Sequence, residues 1–139
     1  MPTRVAEAEW RGNLREGNGT MKFDAWEGPY SFVSRFEQGE GTNPEELIAA
    51  AHAGCFSMAF ADDLANAGYK PVSVRTTARV TVEKVGGGFT ITKSALSTEA
   101  EVPDISQKAF VELANGAKAG CPVSRALAGV EITLEARLV

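Results

Sequence analysis

The sequence has very few residues that bind metals or form disulfides: among 139 residues there are two cysteines and one histidine. Zinc fingers, iron–sulfur proteins and disulfide-stapled miniproteins need more of these side chains, so those classes are excluded. Basic residues are also outnumbered, 14 to 18, and the net charge of -4 argues against a broad nucleic-acid or anionic-membrane surface.

Long apolar runs are absent as well, because charges interrupt every stretch well short of the ~20 residues that cross a bilayer. The N-terminal residues contain no apolar segment typical of a secretory signal, and we therefore expect a cytoplasmic chain. The composition is that of a globular protein, with 44% hydrophobic and 23% charged residues. This length predicts a single domain over residues 1–139.

The first part of the chain predicts short strands followed by one long helix. Residues 4–11, 19–25 and 29–36 have strand patterns, and the last two are separated by a turn signal at Gly28-Pro29. Asn43 is a predicted N-cap, with Pro44 at the first helical position and Glu46 at the capping-box spacing. The helix should end at Gly68, which gives about 24 residues and roughly 36 Å.

The second part alternates apolar and polar residues with the period of a strand from 72 to 83, then turns through three glycines and returns over 89–101. A helix should begin at Asp104 or Ser106 and run to about Lys118, before Gly120. A short helix from Cys121-Pro122 to Leu127 and a final alternating strand complete an α+β fold.

The two cysteines lie in different predicted settings. Cys55 is inside the long helix among small residues, so taken alone it reads as a core residue. Cys121 precedes Pro122 and is a predicted N-cap, where backbone N–H groups stabilise a thiolate, although the same residues also suit a simple helix–helix corner. In a reducing compartment a cysteine pair with a role is catalytic or redox-active rather than a permanent crosslink.

A thiol that reduces peroxides also needs a cation beside it, and arginine is suited to contact thiolate and peroxide together. Arg75, Arg79 and Arg125 are candidates, and the first two are expected on the solvated face of a strand. Arg35 stands out because it lies on the segment that leads into the long helix. A carboxylate would be needed to hold it.

Residues 35–58 and 117–127 together resemble the two cysteine motifs of the osmotically inducible protein C (OsmC) family, which includes the organic hydroperoxide resistance (Ohr) proteins. The first segment contains Asn43-Pro44-Glu45-Glu46 and His52-Ala53-Gly54-Cys55, and the second contains Gly120-Cys121-Pro122. The order of strands and helices is also similar, so the resemblance covers essentially the whole chain.

The resemblance implies a thiol-dependent peroxidase, with the OsmC-like fold of antiparallel sheets around a long central helix and an intertwined homodimer. Cys55 would be the peroxidatic cysteine and Cys121 the resolving one, with Arg35 and Glu45 beside them. Arg35 matches the OsmC branch, since the Ohr arginine lies nearer the N-terminus. Expected partners are a hydroperoxide and a dithiol reductant such as a lipoyl-bearing protein, with no cofactor.

Helix geometry constrains how these residues meet. Glu45 precedes Cys55 by ten residues, which is about 15 Å along one helix. Arg35 must therefore bridge the gap, or the residues come from two chains. The apolar side chains of Phe36, Phe56 and Met58 could accept the organic part of a substrate, but each could also be plain core.

Two other functions remain open. A metal could be held by Cys55, Cys121 and His52, although this would use every cysteine and histidine of the chain, and a histidine on a helix is more often packed or hydrogen-bonded. A reactive thiol would also serve a non-catalytic redox sensor or an apolar-ligand binding domain. Catalytic turnover of hydroperoxide separates a peroxidase from a sensor, which oxidises once per chain.

Overall fold

The computed structural model describes residues 1–139 and contains six strands and four helices. In chain order these are β1 Glu7–Arg11, β2 Asn18–Phe23, β3 Trp26–Tyr30, α1 Phe32–Phe36, α2 Pro44–Asn66, β4 Ser73–Val85, β5 Gly88–Glu101, α3 Gln107–Gly120, α4 Pro122–Ala126 and β6 Glu131–Leu138. The predicted α+β class is confirmed. The chain forms two compact units, Met1–Leu47 and Ile48–Val139.

The first unit holds an antiparallel sheet in the order β1-β2-β3. The predicted strand over 29–36 is wrong, because residues Phe32–Phe36 form α1. Ser31 begins this helix with a capping box: its hydroxyl accepts from the Ser34 N–H at 3.1 Å, and the Ser34 hydroxyl accepts from the Ser31 N–H at 2.8 Å.

The turn predicted at Gly28-Pro29 is also wrong, since both residues lie within β3. The chain instead turns at Asp24, whose φ of 50° lies in the left-handed region that aspartate tolerates. Pro29 is compatible with β3 because this is an edge strand, where a missing N–H can face away from the sheet.

The ends of α2 follow the sequence signals closely, and its 23 residues match the predicted length of about 24. At the start, the Asn43 side chain accepts from the Glu46 N–H at 2.8 Å. The Glu46 carboxylate accepts from the Thr42 hydroxyl at 2.9 Å. At the other end Gly68 has a φ of 96°, and the Tyr69 N–H donates to the Leu64 carbonyl at 3.0 Å, as expected for a helix ended by glycine.

The second unit holds a sheet in the order β4-β5-β6. The predicted β4–β5 hairpin is confirmed, and it turns through Gly86 and Gly87, both with positive φ. Strand β6 departs from the antiparallel prediction, since it pairs with β5 in parallel. The reason is the connection, because α3 and α4 return the chain to the start of β5 before β6 begins.

Helix α3 is capped by Ser106, whose hydroxyl accepts from the Ala109 N–H at 3.1 Å, so Ser106 rather than Asp104 begins it. Cys121 ends α3 and begins α4, and Pro122 occupies the first position of α4, as predicted.

The core of the second unit lies between α2, α3 and β5. Phe56, Phe60 and Leu64 of α2 are fully buried, and the Phe60 ring lies 5.3 Å from the Phe110 ring of α3. Leu96 and Ala100 of β5 complete the contact. This packing fixes α2 against the sheet over the turns that carry Cys55. None of the four helices is long and apolar enough to span a membrane.

Candidate active site

The two cysteines meet in the second unit. Although they are 66 residues apart in sequence, their sulfurs lie 2.7 Å apart. Both are free thiols; Cys121 is fully buried, and Cys55 is partly exposed. A reactant from solvent therefore reaches Cys55 more easily, and Cys121 lies within reach for direct condensation with it.

The surroundings of the two thiols shift their pKa values in opposite directions. Burial raises the pKa of Cys55, and the hydrogen bond with Cys121 raises it further, although the Val123 N–H opposes both. Burial also acts to raise the pKa of Cys121, but hydrogen bonds from Cys55, Ser124 and Val123 outweigh it and lower that pKa. The pKa of Cys55 is thus raised and that of Cys121 lowered, so Cys121 is the sulfur that ionises first when the pair loses one proton.

Arg35 and Glu45 form an ion pair in the first unit. The Arg35 Nη2 donates to Glu45 Oε1 at 2.8 Å, and its Nε lies 3.2 Å from both carboxylate oxygens. The Glu45 side chain is 8% exposed and that of Arg35 is 32% exposed. The carboxylate that holds Arg35 is therefore Glu45, in the first turn of α2. Arg75 and Arg79 are exposed on β4.

Of the three apolar candidates for substrate contact, one lines a cavity. Phe36 lies beneath the Arg35 guanidinium, 5.1 Å from ring centre to the Arg35 carbon, and both line a cavity of about 410 Å³ in the first unit. Trp10, Tyr30 and Phe32 also line it. Phe56 is fully buried in the core of the second unit, whereas Met58 is 78% exposed on α2.

His52 is fully buried one turn before Cys55, and both ring nitrogens are hydrogen-bonded to serines. Nδ1 lies 2.7 Å from the Ser94 hydroxyl, and Nε2 lies 2.7 Å from the Ser124 hydroxyl. His52 thus lies in a polar contact within the fold, as expected for a hydrogen-bonded helix residue. Nowhere in residues 1–139 do three or more His, Cys, Asp or Glu side chains lie together in a group that could hold a metal ion.

The two serines beside His52 were not identified from the sequence. Ser94 lies on the face of β5 that also buries Leu96, Thr98 and Ala100. A hydroxyl in such a row needs a polar partner, and that requirement was the available signal. Ser124 lies three residues after the N-cap Cys121.

The arrangement of free thiols and the arginine–carboxylate pair can be compared with known proteins. A family model described as "OsmC-like protein" matches residues 37–135. This chain belongs to the OsmC family. Over 138 residues it is 49% identical to the "Peroxiredoxin OsmC" of Escherichia coli K12, covering 97% of this chain and 96% of that protein. The predicted resemblance to the OsmC branch is confirmed.

Ohr proteins are related more distantly. The "Organic hydroperoxide resistance protein" of Xanthomonas axonopodis pv. citri is 34% identical over 98 residues, 69% of this chain and 67% of that one. The crystal structure of the organic hydroperoxide resistance protein OhrB of Bacillus subtilis superposes with a TM-score of 0.72 at 26% identity, covering 96% of this chain and 98% of that chain. The predicted OsmC-like α+β fold, apart from the parallel pairing of β6, is confirmed, as is the predicted enzyme class, a thiol peroxidase and hence an oxidoreductase; the homodimer stays a prediction.

Proposed function

We propose that this protein reduces organic hydroperoxides, and hydrogen peroxide, through a Cys55 sulfenic acid and a Cys55–Cys121 disulfide that a dithiol reduces. The observation that carries the proposal is the contact between two free thiols, one partly exposed and one buried, with their sulfurs 2.7 Å apart. The relatives named as a peroxiredoxin and as organic hydroperoxide resistance proteins support the choice of substrate.

The first step is attack by the Cys55 thiolate on one oxygen of the hydroperoxide. The O–O bond breaks, alcohol leaves after taking up a proton, and Cys55 is oxidised to a sulfenic acid. The Cys121 thiolate is a suitable acceptor for the Cys55 proton, because a thiol and a thiolate in contact share one charge between them.

The second step is condensation. The Cys121 sulfur attacks the sulfur of the Cys55 sulfenic acid, the S–O bond breaks, and the hydroxide that leaves takes up a proton to give water. A dithiol then supplies two electrons and two protons by thiol–disulfide exchange, which restores both cysteines. A lipoyl-bearing protein is one reductant of this chemical class.

Arg35 is proposed to lower the pKa of Cys55 and to contact the peroxide, held in place by Glu45. Glu45 and Cys55 are ten residues apart in α2, which corresponds to about 15 Å along an α-helix, farther than one side chain reaches. We therefore propose that the pair comes from a second copy of the chain, within a homodimer.

The centre of α2 is suited to such a contact. Ala50 and Ala51, midway between Glu45 and Cys55, are exposed in the single chain, and Gly54 and Met58 continue the same exposed face. If two α2 helices cross antiparallel at the alanines, Glu45 of the partner subunit comes level with Cys55. The cavity at Arg35 and Phe36 would then offer an apolar space for the organic group of the peroxide.

Peroxide consumption tests this function. We expect the protein to consume cumene hydroperoxide and hydrogen peroxide over many turnovers with dihydrolipoamide or dithiothreitol as the reductant. Replacing the nucleophile in Cys55→Ser should reduce turnover by at least about 10³-fold. Cys121→Ser should still form the sulfenic acid but lose the disulfide. Normal turnover by Cys55→Ser would refute the mechanism, and one oxidation per chain without turnover would indicate a redox sensor.

A further inference from the structure

A buried chain of hydrogen bonds leads from β5 to the sulfur of Cys121, and the proposed reaction steps do not use it. It starts at Ser94, passes through both ring nitrogens of His52 and reaches Ser124. Ser94 and His52 are fully buried, and Ser124 is 5% exposed. Ser124 lies in the first turn of α4, the helix that Cys121 begins, and its hydroxyl acts to lower the pKa of Cys121. All four residues belong to the second unit.

The number of protons available determines which group donates in each of these hydrogen bonds. Burial lowers the pKa of His52, so its ring is neutral and has one N–H donor and one bare nitrogen. A thiolate on Cys121 can only accept, so the single proton of Ser124 points to that sulfur. The Ser124 oxygen must then accept from His52 Nε2–H, and the bare Nδ1 must accept from the Ser94 hydroxyl.

We propose that His52 is a positioning residue for Cys121: as the Nε2–H tautomer it holds the Ser124 hydroxyl toward the sulfur and so speeds reduction of the Cys55–Cys121 disulfide. This inference rests on the proposed function. It concerns Cys121 as a leaving group, and no catalytic contact of His52 with the peroxide is involved.

Exposure decides which sulfur leaves. Cys121 is fully buried and Cys55 is partly exposed, so an incoming thiolate of the dithiol attacks the Cys55 sulfur. The disulfide bond breaks, its electron pair goes to Cys121, and a mixed disulfide remains on Cys55. The second thiol of the dithiol then attacks the dithiol sulfur that is bonded to Cys55. This step forms the disulfide of the oxidised reductant and releases Cys55 as a thiolate. Exchange is faster when the leaving thiolate is more stable, and the Ser124 hydroxyl stabilises it.

The tautomer provides a test in the unmodified protein. His52 is the single histidine of the chain, so a long-range ¹H–¹⁵N spectrum of the reduced protein reports it alone. We expect the Nε2–H tautomer at pH 8. The Nδ1–H tautomer would overturn the proposal. Nε2 would then accept the proton of the Ser124 hydroxyl, and that hydroxyl could not donate to the Cys121 sulfur.

Variants test the effect on the thiol. In a Cys55→Ser background, in which only Cys121 titrates, thiolate absorbance at 240 nm should show a higher pKa after His52→Phe or Ser124→Ala. In the two-cysteine protein, the same changes should slow disulfide reduction by dithiothreitol about 3- to 10-fold. This is less than the full value of one hydrogen bond to a charged group, because the leaving sulfur carries only part of its charge in the transition state. His52→Gln, which keeps an N–H donor, should restore part of the rate.

The matched control is Ser57→Ala, which removes a hydroxyl on α2, the helix that carries His52. Ser57 donates to the Thr76 hydroxyl at 2.8 Å, in a contact that involves neither sulfur. It should lower stability without changing the pKa of Cys121 or the reduction rate. If His52→Phe does not fold, Ser94→Ala, which retains both His52 and Ser124, should slow reduction to a smaller extent.

The outcomes separate this proposal from the function. Single-turnover oxidation of Cys55 by cumene hydroperoxide should not slow in Ser124→Ala, because loss of the Ser124 hydroxyl moves the shared negative charge toward Cys55. Peroxide turnover in the unmodified protein together with an unchanged Cys121 pKa and reduction rate in Ser124→Ala would overturn the role of the hydrogen-bond chain alone. Absence of turnover in the unmodified protein would instead refute the proposed function.

Discussion

The Arg35–Glu45 ion pair should contribute measurably to folding stability, in contrast to most surface pairs. Three nitrogen–oxygen contacts of 2.8, 3.2 and 3.2 Å join the guanidinium to the carboxylate. The carboxylate side is 8% exposed, whereas the arginine side keeps 32% of its surface in water. Glu45→Gln keeps the shape of the side chain and removes its charge, so the change isolates the electrostatic part of the contact.

The expected size follows from these exposures. Hydrogen bonds to charged groups contribute about 1.5–3 kcal/mol, and partial solvation of Arg35 reduces the net value toward the lower end. We expect a coupling free energy of about 1–2 kcal/mol between Glu45→Gln and Arg35→Ala. The Arg11–Glu9 pair is closer, at 2.6 Å, but its side chains are 77% and 65% exposed. Its coupling should be below about 0.5 kcal/mol.

Two double-mutant cycles measured by urea unfolding provide the test, both at one fixed protein concentration because the stability of the proposed dimer would depend on it. One cycle uses Glu45→Gln with Arg35→Ala, and the control uses Glu9→Gln with Arg11→Ala. Distance alone predicts a larger coupling free energy for the exposed Arg11–Glu9 pair, whereas burial predicts a smaller one. A coupling in the Arg35 cycle no larger than in the control would refute the reasoning from burial.

Three further predictions concern the thiols and His52. Arg35→Ala should raise the pKa of Cys55 and slow its first oxidation about tenfold, whereas Arg79→Ala, on the exposed face of β4, should change neither; an unchanged thiolate titration in Arg35→Ala would count against its role. Mixing inactive Cys55→Ser with Arg35→Ala should restore activity through the one intact site of each mixed dimer, and no recovery would assign Arg35 and Cys55 to the same chain. Burial lowers the pKa of His52 from its ordinary value of 6.5, so the unfolded chain binds the proton more tightly; the free energy of unfolding should be full above about pH 6.5 and fall as the pH drops below that value. Urea midpoints of the unmodified protein and His52→Gln across this range test this, because the variant should lose that part of the pH dependence.

Elements with local signals could be predicted from the sequence. Asn43 and Gly68 mark the ends of α2 through hydrogen bonds and a φ angle that involve only neighbouring residues. The turn of the β4–β5 hairpin and the Cys121-Pro122 helix start are equally local. Helix α1 was missed because residues 29–36 carry an apolar content typical of a strand, and a reciprocal bond between Ser31 and Ser34 decided the local structure.

Features that depend on contacts between residues far apart in the chain could not be predicted from local sequence patterns. The parallel pairing of β6 with β5 follows from where α3 and α4 return the chain. His52 hydrogen-bonds to Ser94 and Ser124, which are 42 and 72 residues away in sequence. The helical spacing between His52 and Cys55 therefore carried no information about these partners. The carboxylate partner of Arg35 was accessible only through the family resemblance, since two adjacent glutamates follow Pro44 and local rules do not distinguish them.

The two thiols receive unequal support from their own chain, and this inequality suggests which group acts at which step. Hydrogen bonds from Ser124 and Val123 favour the thiolate on Cys121, whereas burial keeps the Cys55 pKa high. The proposed oxidation step nevertheless needs the thiolate on Cys55, so a cation must move the shared charge toward it, and Arg35 is the residue proposed for that task. The proposed reduction step needs the opposite, a stable Cys121 thiolate as leaving group, which is the role proposed for the buried hydrogen bonds of Ser94, His52 and Ser124. In this proposal the arginine assists oxidation, and the buried hydrogen bonds assist recovery of the reduced enzyme.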